Sequence, residues 1–153
     1  MDVKDFLKTH DISYDVLPHR ETFGAQRMAQ VLHVSGREVS KTVLMRADRG
    51  YAYIVAVLPA NKEIDWRLAS EALGGSQLEL ATEHEIAEHC PDCEFGALPP
   101  FGTQYGMHTL MDKSLLDHEE IVFEGNNHHE AIRIRTRDFR QIEEPMLADF
   151  ARE

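Results

Sequence analysis

The sequence predicts a mixed α/β fold, with a curved sheet and helices packed around it. Segments rich in β-branched and aromatic residues dominate the middle and the end of the chain, and helical patterns lie irregularly among them. A doubly wound parallel sheet would alternate strands and helices regularly, so that class is disfavoured. The length of 153 residues suits a single domain, residues 1–153, with one core.

The first part of the chain predicts a helix, a strand and a second helix. Residues 2–10 have the spacing of a short amphipathic helix, and residues 12–19 alternate as a strand does. Helical spacing returns over residues 21–34, where Thr22 is the expected N-cap and Ser35-Gly36 the expected break.

A hairpin and a third helix are predicted next. Two β-rich runs, 40–47 and 51–59, flank the turn sequence Asp48-Arg49-Gly50. A helix follows over 65–74, and we expect Trp66 in the core because it shares a helical face with apolar residues.

The second half of the chain predicts mainly strands. A short strand over 76–81 precedes a helix that begins at Thr82, and a last helix begins near Thr136. Between these helices lie three strand-like segments, 107–115, 119–125 and 131–136, and the chain ends in an apolar-faced tail, 145–153.

The charge excludes some classes of partner. The formal net charge is −11, from 16 basic and 27 acidic residues, which argues against coating DNA through bulk charge but leaves room for a small basic site. The longest apolar run, 54–59, is too short to cross a bilayer, and the N-terminus has no apolar signal segment. We therefore expect a soluble, cytoplasmic protein with neither membrane nor DNA as partner.

An apolar loop, "CEFGALPPFGTQYG" at 93–106, is the most unusual segment. Its glycines allow close approach of a ligand to the backbone, and its two adjacent prolines stiffen it. The N–H groups of Gly96, Ala97 and Leu98 could then be held toward a carbonyl or an oxyanion. A plain structural turn is the alternative.

Lys41 stands at the entry to an otherwise apolar strand. If its side chain points into a cleft beside the loop, its ammonium group suits a phosphate or an ester carbonyl. The alternative is a strand-end lysine whose stem covers apolar surface while its charge stays in water.

The pair Cys90 and Cys93 raises a redox or a zinc hypothesis. His84 and His89 could complete a four-ligand zinc site. A thioredoxin-like pair should open a helix after a strand, whereas this pair follows a helical pattern. Two reduced thiols at a helix end are therefore favoured.

Three histidines are candidates for the same pocket. His128 and His129 are adjacent in a turn, where neighbouring side chains point apart, so they make a poor chelating pair, although one could line a pocket. His19 could be a general base, or a buried histidine with satisfied hydrogen bonds.

Taken together, three segments resemble a known family. They are "HRETFGAQRMAQVLHVSGREVSKTVLM", "GALPPFG" and "MDKSLL…EEIVFEGNNHHEAIRIRTRDF". They resemble the YbaK-type editing domain, which also occurs as an insertion in, or a stand-alone relative of, bacterial prolyl-tRNA synthetase. The resemblance runs over residues 14–142. It rests on a lysine opening a strand, a later G-x-x-x-P loop, and an aspartate near a strand end before a turn.

The resemblance implies a partly barrel-like mixed sheet and an aminoacyl-tRNA deacylase that hydrolyses wrongly charged tRNA in trans. It implies that Lys41 is the catalytic residue, in contact with the terminal adenosine phosphate or the scissile carbonyl. The substrate-binding residues that it implies are Gly96, Ala97, Leu98, Pro99, Pro100, Phe101, Gly102, His19, Asp112 and Gly125.

The sequence has no nucleophile-elbow motif and no H-E-x-x-H motif. We therefore expect hydrolysis without a covalent protein intermediate, metal or cofactor, with a water or a group of the substrate as the attacking species. The expected partner is the acceptor end of an aminoacyl-tRNA, and a synthetase is a further candidate. The alternative function is a non-catalytic module that binds charged tRNA or a synthetase.

A basic stripe follows the last strand-like segment. With a period of two, Arg133 and Arg135 face outward while the isoleucines between them face the core. Arg137 and Arg140 extend the stripe, which a tRNA acceptor end could use. The alternative is a solvated strand face whose charge is balanced by Glu143 and Glu144.

Overall fold

The computed structural model describes residues 2–48, 52–91, 93–94 and 97–153. The helices are α1 (Val3–Thr9), α2 (Ala25–Leu32), α3 (Trp66–Ala72), α4 (Glu83–His89) and α5 (Thr136–Glu143). The strands are β1 (Asp15–Pro18), β2 (Ser40–Ala47), β3 (Ala52–Pro59), β4 (Glu63–Ile64), β5 (Leu78–Leu80), β6 (His108–Asp112), β7 (Glu120–Glu124), β8 (Glu130–Arg135), β9 (Met146–Ala148) and β10 (Ala151–Arg152). Across these ranges, each helix is too short or too polar to traverse a lipid bilayer.

Two sheets meet to form one curved surface, which confirms the predicted mixed α/β class. The larger sheet has the order β5-β2-β3-β6-β9 and mixes antiparallel and parallel pairs; the smaller is the antiparallel β1-β8-β7. A parallel bridge between Val39 and Val122 joins them, and the Val122 N–H donates to the Glu38 carbonyl. The sheet curves but the described strands do not close a barrel.

The curved sheet has an inner and an outer face, because successive side chains of a strand point to opposite sides. Leu44 faces inward, into the main apolar core shared with α1, α5 and the loop. Val39 and Met45 face outward, where α2 and α3 respectively cover the sheet. Lys41 lies between these two residues on the outer face.

The predicted hairpin is confirmed. β2 and β3 pair antiparallel from Ser40 opposite Pro59 to Ala47 opposite Ala52. Part of the expected turn, residues 49–51, lies outside the described residues.

The expected start of the second helix was wrong. Thr22 does not cap α2, which begins at Ala25 after Gly24, a glycine with φ of +95°. Thr22 is buried instead, and its N–H donates to the carbonyl of His128. The helix also ends early, since His33 adopts a left-handed conformation.

Other helix starts were predicted correctly. Thr82 caps α4 with its side chain in a capping box with Glu85, and α5 begins at Thr136. Trp66, in contrast, was wrongly expected in the core. It is the first residue of α3 and is 38% exposed, since the apolar cluster buries only the next turns of that helix.

The strand predicted over 107–115 is shorter than expected. It ends at Asp112, whose side chain accepts a hydrogen bond from the Ser114 N–H and so caps a 3-10 helix, Lys113–Asp117.

Candidate active site

The turn between β7 and β8, residues 124–128, is the centre of the candidate site. It carries a buried carboxylate and a buried imidazole: Glu124 is 7% exposed and His128 4% exposed. Glu124 Oε1 and His128 Nδ1 are 3.5 Å apart, which is within ion-pair distance. Two titratable groups thus face each other away from bulk water.

Residues 19–23 cover this turn. The His19 N–H donates to the His129 carbonyl at 2.9 Å, and the Thr22 N–H donates to the His128 carbonyl at 3.0 Å. The Phe23 ring lies against the His128 ring, with centroids 4.8 Å apart. Phe23 is nevertheless 69% exposed, so it presents an aromatic surface directly above the buried pair.

The entry to the G-x-x-x-P loop is held on the same turn. The Glu94 N–H donates to the Asn126 carbonyl at 2.7 Å, and the Glu94 side chain accepts from the His128 N–H at 3.1 Å. A Cβ at Gly125 would lie 2.9 Å from Ile132 Cγ1, so close packing against β8 requires the glycine. The structure therefore places His19, Gly125 and the start of the loop together, as expected of one site.

The rest of the loop is structural in its contacts. Leu98, Pro99, Pro100 and Phe101 are buried, and Leu98 and Phe101 pack into the inner core. The Gly102 N–H donates to Thr109 Oγ1 at 3.1 Å.

Two of the three amides expected at an oxyanion, those of Ala97 and Leu98, lie in the described residues. The Ala97 N–H donates to the Glu94 carbonyl at 3.0 Å. Gly96 lies outside the described residues.

Lys41 lies opposite Leu58 on the outer face and is half-buried. Burial lowers the pKa of its ammonium group, and the negative charge of Glu63 opposes this effect. The side chains of Leu98 and Phe101 pack on the inner face, so β2 separates them from Lys41. In the described parts of the chain, Lys41 and the loop do not line one cleft through their side chains.

Lys41 shares its face with Glu124 instead. Val39 and Val122 are bridged in parallel, and two residues further along each chain stand Lys41 and Glu124. Strand alternation places both side chains on the side of the two valines, the outer face covered by α2.

Asp112 is occupied by other contacts. One carboxylate oxygen accepts from the N–H groups of Phe150 and Ala151, at 2.9 and 3.0 Å, and the other accepts from the N–H and hydroxyl of Ser114. Asp112 is 3% exposed. Its carboxylate fastens the C-terminal segment to β6, and these contacts account for its burial without a ligand.

Burial raises the pKa of Glu124 from its ordinary value of 4.5 to about 7, while His128 works in the opposite direction and Glu94 adds to the rise. Glu124 Oε1 has no hydrogen-bond partner among the described residues. A carboxyl group that titrates near neutral pH can accept and return a proton during a reaction.

Two residues of this site, Glu124 and Phe23, were missed by sequence reasoning. The i,i+4 spacing of Glu124 and His128 across a Gly-Asn-Asn turn could have suggested a pair. The exposure of Phe23 had no comparable pattern, since a phenylalanine beside a helix start is expected to pack inward.

The basic stripe has the predicted alternation. Ile132 and Ile134 are buried, and Arg133 faces outward, where its guanidinium binds the Asp15 carboxylate at 2.9 Å. A cleft of about 690 Å³ contains Arg135, Arg137 and Arg140 together with acids of the preceding loop. Of the two acids named in the alternative, Glu144 is exposed, whereas Glu143 is 3% exposed and bonded to Thr103 and Thr109, so it is turned away from this stripe.

Cys90 and Cys93 form a disulfide, so the favoured expectation of two reduced thiols was wrong. His84 pairs with Glu88, and the His89 ring packs on Tyr53. Within the described ranges, no three His, Cys, Asp or Glu side chains are arranged to hold a metal ion.

The fold and this site define a small α/β protein with an acid–base pair under an exposed aromatic ring, on the outer face of a curved sheet. Residues 19–142 match the model of the aminoacyl-tRNA editing domain. The chain belongs to this family, which confirms the resemblance drawn from its sequence.

Among curated proteins, the chain is similar to the multifunctional Ser/Thr-tRNA deacylase ProXp-y of Escherichia coli K12 and of Escherichia coli O157:H7. Each is 29% identical over 101 residues, which is 65% of this chain and 60% of the relative. The chain thus matches about three fifths of the length of these relatives.

Two solved structures share the fold. Hypothetical protein APE2540 superposes with a TM-score of 0.86 at 21% identity, over 98% of this chain and 99% of the other. A candidate trans-editing enzyme for prolyl tRNA synthetase superposes with a TM-score of 0.84 at 20% identity, over 99% of this chain and 95% of the other.

Proposed function

We propose that this protein is a trans-acting aminoacyl-tRNA deacylase, which hydrolyses the ester between a wrongly attached amino acid and its tRNA. The observation that carries the proposal is the buried Glu124–His128 pair beneath the exposed Phe23, inside the segment that matches the editing family. Such hydrolysis is needed because the apolar pocket of a synthetase distinguishes amino acids that differ by one methylene by only about 1–3 kcal/mol in binding, so wrong amino acids are attached.

The exposed ring of Phe23 suits the 3′ end of tRNA. Unpaired bases at an RNA end are commonly bound by stacking on aromatic side chains. A terminal adenine stacked on Phe23 would bring the adjoining ester close to the buried pair. Lys41, on the same outer face, would neutralise the terminal phosphate or the carbonyl oxygen.

The Glu124–His128 pair would supply the proton transfers. A water attacks the ester carbonyl and loses a proton to the pair; the ester C–O bond breaks, the ribose oxygen takes the proton back, and the free amino acid and the tRNA leave. No protein atom is acylated in this scheme, and the protein's own groups suffice without a cofactor. General acid–base catalysis of this kind contributes about 10²–10⁴-fold to a rate.

The E. coli relative's name specifies Ser/Thr-tRNA. We therefore take seryl and threonyl esters as the first substrates to test, beside cysteinyl, alanyl and prolyl esters. Cytoplasmic location and a synthetase that delivers the charged tRNA belong to this proposal.

A second candidate is a module that binds charged tRNA without cleaving it. The separation of Lys41 from the buried loop favours it, and the Ala97 N–H already donates to the Glu94 carbonyl.

The deciding experiment is a deacylation panel with these five charged tRNAs and three proteins: the wild type, Lys41→Ala and Lys113→Ala. Lys113 is an exposed lysine outside the site and is the matched control. We expect wild type and Lys113→Ala to hydrolyse at least one ester, and Lys41→Ala to be at least tenfold slower with an unchanged circular dichroism melting curve. Tight binding of charged tRNA with no hydrolysis of any ester would support the binding module instead.

A further inference from the structure

We propose that Cys90 and Cys93 are a redox-reactive site, which exchanges with low-molecular-weight disulfides and thiols and sets the order of the turn at 124–128. This inference goes beyond the proposed function and does not depend on it. It assigns the pair a chemical role, as a site that a disulfide or thiol of glutathione type can modify.

The short loop that this disulfide closes favours a reactive role over a stabilising one. The two Cα atoms are 5.5 Å apart and only three residues separate the cysteines in sequence. A disulfide restricts the unfolded chain more when it closes a longer loop, so this short one contributes little to stability.

The two sulfurs differ in accessibility. Cys90 is 1% exposed, whereas Cys93 is partly exposed. A cleft of about 730 Å³ adjoins them: its lining includes Pro91, which follows Cys90, and Tyr105, whose hydroxyl lies 3.1 Å from Cys90 Sγ and 3.9 Å from Cys93 Sγ. A small thiol compound therefore has room beside Pro91 and Tyr105, next to the pair, and Cys93 is the more exposed of the two cysteines.

Asn126 connects the pair to the candidate active site. Its side-chain amide donates to Cys93 Sγ at 3.3 Å, and its main-chain carbonyl accepts from the Glu94 N–H at 2.7 Å. The Glu94 carboxylate in turn accepts from the His128 N–H at 3.1 Å. Three hydrogen bonds thus connect a cysteine sulfur with the histidine of the buried pair.

The chemistry balances as thiol–disulfide exchange. In the reduced protein, the Cys93 thiolate attacks a sulfur of oxidised glutathione, forms a mixed disulfide and releases one glutathione thiolate. The Cys90 thiolate then attacks Cys93 Sγ and releases the second glutathione. The protein loses two electrons, which the glutathione disulfide gains, and the reverse steps reduce the protein.

The bond restrains residues 93 and 94, because it ties Cys93 to the end of α4. We expect its reduction to release that restraint and to weaken the contacts of Glu94 with Asn126 and His128 in the turn. We expect the oxidised protein to have the ordered site described above, and the reduced protein to have a more mobile turn.

The test uses the full chain, whose two cysteines are the only ones in the sequence. The protein is equilibrated in glutathione buffers of graded ratio, its thiols are counted by maleimide alkylation, and amide hydrogen exchange is followed in peptides covering residues 120–130. We expect reversible conversion between zero and two thiols in the native protein, with exchange in these peptides at least fivefold faster when reduced. The Cys90→Ser/Cys93→Ser variant should exchange at the reduced rate in every buffer.

A control variant separates coupling from simple reactivity. Asn126→Asp keeps a residue that tolerates the left-handed backbone at φ of +72° and keeps the acceptor for the Val3 N–H, but it removes the amide that donates to sulfur. Its thiols should still titrate while the redox difference in exchange shrinks by at least half. Thiols that appear only on unfolding, or equal exchange rates in the two redox states, would overturn the proposal; neither measurement uses tRNA, so both stand if the deacylase proposal fails.

Discussion

Two buried glutamates, Glu124 and Glu143, mark regions of opposite character. Both are less than a tenth exposed, and burial raises the pKa of each. Glu143 accepts three hydrogen bonds, from the N–H and hydroxyl of Thr103 at 3.0 and 2.6 Å and from the hydroxyl of Thr109 at 2.5 Å. In Glu124, the oxygen that lies 3.5 Å from His128 Nδ1, Oε1, has no hydrogen-bond partner among the described residues.

The difference separates a carboxylate that holds structure from one that is available for chemistry. Glu143 ties the 3-10 helix Gly102–Tyr105, which ends the apolar loop, to α5. Its donors offset the cost of burial, whereas Glu124 remains poorly solvated and poorly bonded. Buried polar groups left in this state are uncommon, and they concentrate at functional sites.

The sharpest test of this comparison removes the ionisable group from Glu124. Glu124→Gln keeps the shape of the side chain but cannot accept and return a proton in the reaction. We expect kcat/KM for deacylation to fall about 100-fold, at the lower end of the effect of a general acid–base group. Initial rates with the best ester of the panel measure it. A loss below threefold would show that Glu124 is no closer to the chemistry than Glu143.

A substitution of the other buried glutamate, Glu143, should affect the stability of the fold. Glu143→Ala leaves the N–H and hydroxyl of Thr103 and the hydroxyl of Thr109 without their acceptor. We expect the free energy of unfolding to fall by about 2–4 kcal/mol, measured by urea denaturation. Glu143→Gln retains an acceptor and should lose less. Equal stability of Glu143→Ala and wild type would remove the structural role.

The raised pKa of Glu124 also predicts a pH dependence of stability. The native chain holds this proton from pH 4.5 to about 7, where the unfolded chain has lost it. The free energy of unfolding therefore falls as pH rises through this window and is level above it. We expect Glu124→Gln to lack this fall and to be more stable than wild type at pH 8, by about 1–3 kcal/mol. The free energy of unfolding of both proteins is measured by urea denaturation at pH 5 to 8, and the same pH dependence in both would contradict the prediction. Glu143 is present in both proteins, so its contribution to the pH dependence is the same in each.

The smallest effect on folding is expected from a substitution of Phe23, whose ring lies above the buried pair. Phe23 is 69% exposed, so Phe23→Ala should change the free energy of unfolding by less than about 0.5 kcal/mol. Its KM for charged tRNA should nevertheless rise severalfold, since a stacked base contributes about 1–3 kcal/mol. Exposed Leu80→Ala is the control and should change neither quantity.

Local features of this fold could be predicted from sequence, and long-range ones could not. The β2–β3 hairpin, the cap at Thr82 and the start of α5 each depend on residues that are close in sequence. The partners of Asp112 lie 38 and 39 residues away, at Phe150 and Ala151. Asp112, which stands before a turn, was therefore predicted to line the pocket, whereas its carboxylate holds the C-terminal segment on β6.

The candidate site divides in the same way. The family motif identified the segments that meet at the 124–128 turn, including His19 and Gly125. The face of β2 on which Lys41 lies, relative to the loop, depends on how two sheets join, and a single sequence does not encode that in any short pattern. The burial that raises the pKa of Glu124 likewise comes from segments distant in the chain.

The N–H of Val3, in the first turn of α1, donates to the side chain of Asn126 at 2.8 Å. The opening helix is thereby anchored on the same amide side chain that contacts Cys93. An affinity tag fused ahead of Met1 would join the chain two residues before this anchor, so kinetic work should place the tag behind Glu153 or cleave it away before assay.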